Sequence, residues 1–571
     1  MFTNLSKSIF NSNNLTFFST LTILLLILFL RVTRGLDLTD EMQYYGEIQG
    51  LLEIGRLFSN DLFIQQLVYL LFYPFLKIYH LIFGMEGMVF FGRLILAVMS
   101  VGIFIYAYQK LLSNSLPVFT SSLTALALTF AIPYHGVFNL SYNTVSQVAW
   151  IIFTLNFLQW ERKNLFLFGS VVIVTILAHP PSALMMGSLL FLRLTYEGSL
   201  KEIRTMFYFF SVAGLMLAFI AVNVATPQEY LRALSFSSGY GTGTRFLASG
   251  VMQAFLVGFF TLFGSCWLAS KYLNIGKYSQ SSNIPLIIVT FIALGIPLSV
   301  LGFSGGAYTP SVVVFYTLLC AFTYFFALFN IISLDLKRRE RLHWTMILLL
   351  GYVTILGITS DNGMTQATGS LMVILPLLLT NTFFSGVKEA PGTHEMSKLG
   401  TYSIILLCIL YAIQWSNYPY RDSKWWNSNQ PIKSVSGYKY INTSSEKLGF
   451  INQMQELLLT HTNGRKVLIV SEYPGLYPIL EAHPETCMLY MHSLTSNKSE
   501  NALKNCLQNK SPEVVIDIIT DKDIAKNGSR IKQVMQDFYR RREFKCTNKS
   551  LDISMDQGLN NIFNISICQK F

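Results

Sequence analysis

The chain has 571 residues, of which 52% are hydrophobic and 13% charged, and its mean hydropathy is +0.44. Soluble domains carry about 25% charged residues, so the composition excludes a wholly soluble protein. A formal charge of +11 would suit nucleic acid. Here, however, the basic residues cluster in short loops between apolar runs, the positive-inside pattern of a polytopic membrane protein, and no nucleic-acid partner is expected.

The first apolar run extends from Phe17 to Leu30 and ends in Arg31 and Arg34. With its polar flanks it is long enough to span a bilayer. It lacks a small-residue cleavage site, so it reads as a retained anchor. Directly after it comes DLTDEMQYYGE, residues 37–47. Two adjacent carboxylates, Asp40 and Glu41, thus emerge where the chain leaves the lipid. A helix is predicted to start there, capped by Thr39 or Asp40, with the acids at the positive end of its dipole. Asp40, Gln43 and Glu47 share one face of that helix, which reads as a place to hold a polar substrate.

The first outer loop, 35–87, is predicted to carry two surface helices, about 40–58 and 62–83. The second is apolar enough to span, but Pro74, Lys77 and His80 interrupt it. Further spans are predicted at 88–109, 116–134, 143–160, 164–179, 181–196, 206–224, 248–268, 284–303, 310–333, 343–360, 366–382 and 400–417. With the first they make about thirteen, each near the length a bilayer requires. If the helices alternate, Lys110, Arg162 with Lys163, Lys201 with Arg204, Lys271 with Lys277, Lys337 to Arg339, and Lys388 with Lys398 share one side. That side is expected to be cytoplasmic, with the N-terminus. The acid pair, His135, Asn139, the 225–247 loop, Asp361 and the C-terminal tail then lie outside.

Residues 421–571 have the composition of a soluble domain. KVLIVSE (466–472) and EVVIDII (513–519) read as buried strands, and 499–508 and 530–541 as helices. The alternation predicts a small α/β domain. Cys487, Cys506, Cys546 and Cys568 are confined to this tail, where an oxidising compartment permits disulfides. Nearest pairing joins Cys487 to Cys506 and Cys546 to Cys568, although four cysteines allow three connectivities. There is no Cys-x-x-Cys and no His pair at zinc spacing. No cofactor is firmly implied, and a divalent metal stays open.

The acid pair after the first span, followed by Tyr44, Glu47 and Ile48, resembles the Asp-Glu-x-x-Tyr-x-x-Ile stretch of GT-C glycosyltransferases. Counted from Tyr44, Ile48 comes one residue late; counted from Tyr45, Glu41 takes the leading acid's place. The branch resembled contains aminoarabinose transferases, protein O-mannosyltransferases and their bacterial relatives. EYPGLY (472–477) with LYMH (489–492) resembles the C-terminal domain of bacterial members. The Pro-Pro-Leu-Tyr-like start of the family's juxtamembrane helix is missing. The resemblance implies a polytopic α-helical GT-C protein of about thirteen transmembrane helices (1–420) with a small extracytoplasmic α/β domain (421–571). It also implies a bacterial inner (plasma) membrane, a polyprenyl-phosphate sugar donor, and a glycan, lipid or protein acceptor.

On this resemblance Asp40 is the first catalytic candidate, as a base or as the group that aligns acceptor and donor. Glu41 is the second, and the one-residue ambiguity lets the two exchange roles. A leaving lipid phosphate needs cations. The candidates are Arg56, Lys77, Arg93, Arg232 and Arg245; Arg93 follows Gly92 at the outer end of a span, and Arg245 ends GYGTGTR (239–245). His179 in AHPPS, Tyr44, and Asp361 in SDNG complete the substrate-binding set. Plainer roles exist for each: helix capping for Asp40 and Asp361, interfacial snorkelling for Arg93, and a helix break for His179. Two other function classes fit a polytopic chain. A transporter or lipid flippase would show internal symmetry and ionisable groups at mid-membrane, whereas here they sit at span ends. A non-catalytic assembly protein on a GT-C scaffold would suit the missing Pro-Pro-Leu-Tyr element.

Overall fold

The computed structural model describes residues 12–114, 116–133, 136–161, 164–237, 336–359, 367–383, 393–417, 424–489, 497–520, 528–555 and 559–570. The expected spans at 248–268, 284–303 and 310–333 lie outside them. Every other expected span lies on a helix. In chain order the helices are α1 (Ser12–Thr33), α2 (Asp40–Gln49), α3 (Tyr73–Phe83), α4 (Met88–Ser113), α5 (Val118–Phe130), α6 (Tyr142–Leu158) and α7 (Leu165–Ala178). They continue as α8 (Pro180–Tyr196), α9 (Leu200–Val224), α10 (Pro227–Ser237), α11 (Leu336–Thr359), α12 (Ala367–Phe383) and α13 (Thr393–Asn417).

Among the described residues, three helical stretches are long and apolar enough to cross a membrane: Asn14–Thr33, Met88–Ser113 and Lys201–Val224. Several others are apolar but shorter than expected. The 13 residues of α5 cover about 20 Å at 1.5 Å per residue, less than the ~30 Å hydrocarbon layer. Local chemistry sets these ends. Pro117 precedes α5. Ser141 and Thr144 form a capping box that starts α6. Pro180 and Pro181 end the α7 ladder and open α8. The doubtful span at 62–83 is broken: a 3-10 turn, Ile64–Leu71, meets α3 at 77°, and Pro74 sits in the first turn of α3.

Helices α1, α4 to α9 and α11 to α13 share one buried core. Trp150 stacks on Tyr352 with ring centroids 3.9 Å apart. Some polar groups inside it are paired: Gln147 Nε2 donates to Gly369 O at 2.7 Å, and Thr124 meets Thr380 at 3.0 Å; among the described residues Trp150 Nε1, Ser121 Oγ and Thr154 Oγ1 are buried without a partner. An unpaired polar group there costs about 1–3 kcal/mol.

The tail holds β1 (Gln430–Pro431), β2 (Asn442–Thr443), α14 (Ser445–Thr462), β3 (Lys466–Val470), α15 (Leu476–Ile479) and β4 (His483–Pro484). After these come α16 (Asn497–Leu507), β5 (Val514–Thr520), α17 (Gly528–Arg542), β6 (Phe544–Met555) and β7 (Leu559–Lys570). One five-stranded sheet runs β4-β3-β5-β7-β6. β3 lies parallel to β4 and β5, and β7 antiparallel to β5 and β6. The two strands read from the sequence form its centre. The β6–β7 hairpin was not read, because its Asn, Lys and Ser residues mask an alternation that buries Ile565 and Ile567.

Disulfides join Cys487 to Cys506 and Cys546 to Cys568, the second across the β6–β7 pair. Chain separations of 19 and 22 make each worth about 3 kcal/mol in the chain-entropy account. Reduction is therefore expected to lower the melting temperature of the tail, and non-reducing peptide mapping should recover both bridges. Four free thiols in protein purified without reductant would contradict the pairing.

The tail and the loop after α1 share one hydrophobic core. Leu36, Leu38, Met42 and Ile48 are buried together with Tyr438, Phe450, Ile469 and Leu476. Backbone bonds stitch them together: Gly35 N to Asn442 O (2.9 Å), Gly475 N to Leu38 O (3.0 Å) and Gly87 N to Ser436 O (2.9 Å). Gly475 permits this approach, since a Cβ there would stand 2.8 Å from Leu38 and 3.0 Å from Met42. The loop carrying the acid pair is thus clamped between the helices and the sheet domain.

Candidate functional site

The acid pair opens α2, as its position after α1 predicts, but the cap comes from a different residue. Asp37 accepts from Thr39 N and Glu41 N, both at 3.0 Å, and from Thr39 Oγ1. Its own N–H donates to Glu41 Oε2 at 3.3 Å. This reciprocal pattern satisfies orphan donors at the helix start. Thr39, at the N-cap position, makes no side-chain cap bond, and Asp40 is the first residue of the helix.

The two acids then part. Glu41 is 1% exposed. Arg93, 4% exposed, grips it with both edges of the fork: Nε to Oε1 at 2.7 Å and Nη2 to Oε2 at 2.6 Å. Asn139 Nδ2 donates to Oε1 at 3.1 Å. Arg93 also donates to Gly35 O at 2.7 Å and, at 3.3–3.4 Å, to the carbonyls of Arg31, Val32 and Arg34. It therefore closes the carboxyl end of α1, where carbonyls lack intrahelical partners and the dipole favours a cation. Gly92 makes room for the clamp: a Cβ there would lie 2.5 Å from Asn139 Oδ1. The recess beside it, lined by Arg31, Arg34, Asp37, Glu41 and Arg93, has a volume of only about 20 Å³, space for a water molecule. Arg93 thus faces protein groups rather than an open phosphate site. Asp40, at the first position of α2, is half-buried.

Gln43 and Glu47, expected beside Asp40 on an open polar face, are turned inward. Gln43 Nε2 donates to Glu47 Oε1 at 3.2 Å and to Asp61 Oδ2 at 3.1 Å. Leu489 N from the tail donates to the same Asp61 oxygen at 3.4 Å. Burial pushes Asp61 up from 3.8 to about 7. Burial, with the Asp61 charge added, holds Glu47 well above the usual carboxylate range. Both therefore bind protons more tightly in the folded chain than in the unfolded one. The stabilising contribution of Asp61 is complete below its unfolded value of about 4 and is lost as pH rises through about 7, and that of Glu47 is lost in the same direction, as pH rises. Asp61→Asn is expected to remove that loss. At 1.36 kcal/mol per pKa unit the gain at pH 8 is on the order of 4 kcal/mol, and the variant should melt higher than the parent there but alike at pH 4. Equal melting temperatures at pH 8 would contradict the assignment.

The remaining candidates lie apart from the clamp or outside the described residues. Tyr44 is buried; its hydroxyl accepts from Asn143 Nδ2 at 3.5 Å, and its ring meets Tyr142 edge-on. Lys77 Nζ donates to Leu52 O at 3.1 Å. His179 Nδ1 pairs with Ser182 Oγ at 2.7 Å across the α7–α8 break, a local helix-start contact. Arg56 lies 3.8 Å from Glu229 at the surface. Arg245, Asp361 and His135 lie outside the described residues. Asp61 and Asn139 were not singled out as site residues. Asp61 is a lone acid before an apolar run, and Asn139 one polar residue in the turn before α6. Among the described residues no three His, Cys, Asp or Glu side chains are grouped as a metal site needs.

The chain matches no family model and no curated protein. Among solved structures it is similar to ArnT from Cupriavidus metallidurans, crystallised bound to undecaprenyl phosphate. The two share 9% identity and a TM-score of 0.45 over 96% of this chain and 97% of that one. A TM-score of 0.45 at 9% identity assigns neither family nor reaction.

Proposed function

We propose that this chain is a GT-C-type membrane glycosyltransferase that moves a sugar from a polyprenyl-phosphate donor to an acceptor outside the cytoplasm. The observation that carries the proposal is the division of the acid pair. Arg93 and Asn139 lock Glu41 into the structure, and Asp40 stands beside it, half-buried, on the first turn after the chain leaves α1. The motif-like stretch from Asp40 to Ile48 and the external position expected for it support the same reading.

In this mechanism Asp40 takes the proton of the acceptor nucleophile, or holds that nucleophile in line with the sugar. The acceptor forms a bond to the anomeric carbon as the bond to the phosphate oxygen breaks. Direct displacement inverts that centre. Lys77 and Arg245 are the cations proposed for the departing phosphate. Arg93 acts as a positioning residue through Glu41. The basic loops lie in the cytoplasm, and the disulfide-bearing tail lies in an oxidising compartment.

The test is incubation of the purified protein in lipid nanodiscs with radiolabelled polyprenyl-phosphate sugars and an envelope extract as acceptor. Protein-dependent transfer of label, with release of polyprenyl phosphate, is expected for one donor. Donors left intact by the protein in nanodiscs, but carried across vesicle membranes, would contradict the enzyme and favour a flippase.

A further inference from the structure

α1 and α13 both pack on α5, and a groove of about 310 Å³ remains between them. Its walls are two matching stripes. Ile27, Leu30 and Arg31 come from α1, and Ile409, Ala412 and Ile413 from α13. Each set has the i, i+3, i+4 spacing that places residues on one helix face. Facing stripes of this kind normally interdigitate; here they stand apart, and Ile409 is 50% exposed.

The groove ends at Trp425. Over that ring sits Arg34, its guanidinium carbon 5.8 Å from the centroid, with Nη1 donating to Trp425 O at 3.3 Å. Arg34 is half-buried, and no carboxylate pairs with it among the described residues. The adjoining recess is lined by three guanidinium groups, Arg31, Arg34 and Arg93, against two carboxylates, Asp37 and Glu41. Glu41 is satisfied by Arg93, and Asp37 by the start of α2. Among the described residues Arg34 therefore leaves the mouth of this apolar groove positive, at the level where an interfacial Trp marks the lipid headgroups.

We propose that this groove holds one acyl chain of an anionic glycerophospholipid, with the lipid phosphate against Arg34. The groove, about 310 Å³ and lined by apolar side chains of both helices, has room for part of one unbranched chain. Basic pockets between transmembrane helices bind anionic headgroups on the cytoplasmic side of membranes, and the same charge attraction acts on an anionic lipid of the opposite leaflet. The lipid would join α1 to α13 and to the entry of the tail. This site is independent of the sugar donor and of Asp40, and it stands or falls separately from the transferase reading.

Native mass spectrometry of the full chain tests it. Delipidated protein is offered dioleoyl phosphatidylglycerol and dioleoyl phosphatidylcholine in equal amounts. Preference for the anionic lipid of about fivefold is expected from one arginine near the surface. Arg34→Gln should erase the preference, and Arg34→Lys should keep it. Ala412→Phe, which fills the groove, should lower retention of both lipids. Equal retention by the parent protein would overturn the proposal, as would preference surviving in Arg34→Gln or retention surviving in Ala412→Phe. Displacement of phosphatidylglycerol by free polyprenyl phosphate would also overturn it, giving the groove to the donor's chain.

Discussion

Asp40→Asn is expected to lower sugar transfer by roughly 10²–10⁴-fold, the usual loss when a general base is removed. Asparagine preserves the shape of the side chain and its carbonyl oxygen. It removes the charge and the basic site. The substitution should leave the helix start intact, because Asp37, not Asp40, accepts the cap bonds from Thr39 N and Glu41 N. Activity and stability are thus expected to separate at this position, as they would not if Asp40 held the turn together. The assay is transfer of label from the polyprenyl-phosphate donor, with thermal melting in detergent alongside. A variant that melts with the parent and transfers at the parent's rate would remove Asp40 from the mechanism.

Arg93→Met is expected to produce the largest loss of stability, about 3–5 kcal/mol, because it leaves Glu41 buried without its counter-charge. The same change strips donors from the carbonyls that end α1. Glu41→Gln keeps one acceptor oxygen for Arg93 but puts an NH2 donor where a carboxylate oxygen accepts; its cost should be smaller than that of Arg93→Met, because Arg93 keeps its backbone carbonyl acceptors. Replacing both partners, with Arg93→Met and Glu41→Leu together, should recover part of the single-variant loss, since a buried ion pair is often no better than apolar residues of similar volume. Melting temperatures of the three variants check this. An Arg93→Met protein as stable as the parent would show that the fork carries no structural load.

Much of the architecture was legible because apolar runs are a one-dimensional signal. The helices from α4 to α9 could be placed from hydropathy alone, and β3 and β5 from short runs of Val and Ile. Helix lengths were less legible, since Pro117, Ser141 and Pro180 end or start helices inside apolar stretches that hydropathy treats as continuous. The acid pair was visible as a motif, but its division was not. Arg93 lies 52 residues from Glu41 and Asn139 lies 98 residues from it, and nothing in local spacing says that they meet. The same distance problem hid Asp61, which reaches Leu489 across 428 residues. Periodicity grouped Asp40, Gln43 and Glu47 on one face of α2. It could not say that the tail would cover most of that face and leave the Asp40 end half-open.

The central claim is that one acid of the pair does chemistry while its neighbour holds the fold. Single-turnover transfer, divided by the folded fraction, measured side by side for Asp40→Asn and Glu41→Gln, tests it most directly. Asp40→Asn should lose transfer and keep its melting temperature. Glu41→Gln should lose melting temperature and keep most of its transfer per folded molecule. The reverse pattern, with Glu41→Gln folded but inactive and Asp40→Asn active, would contradict the account and make Glu41 the reacting carboxylate.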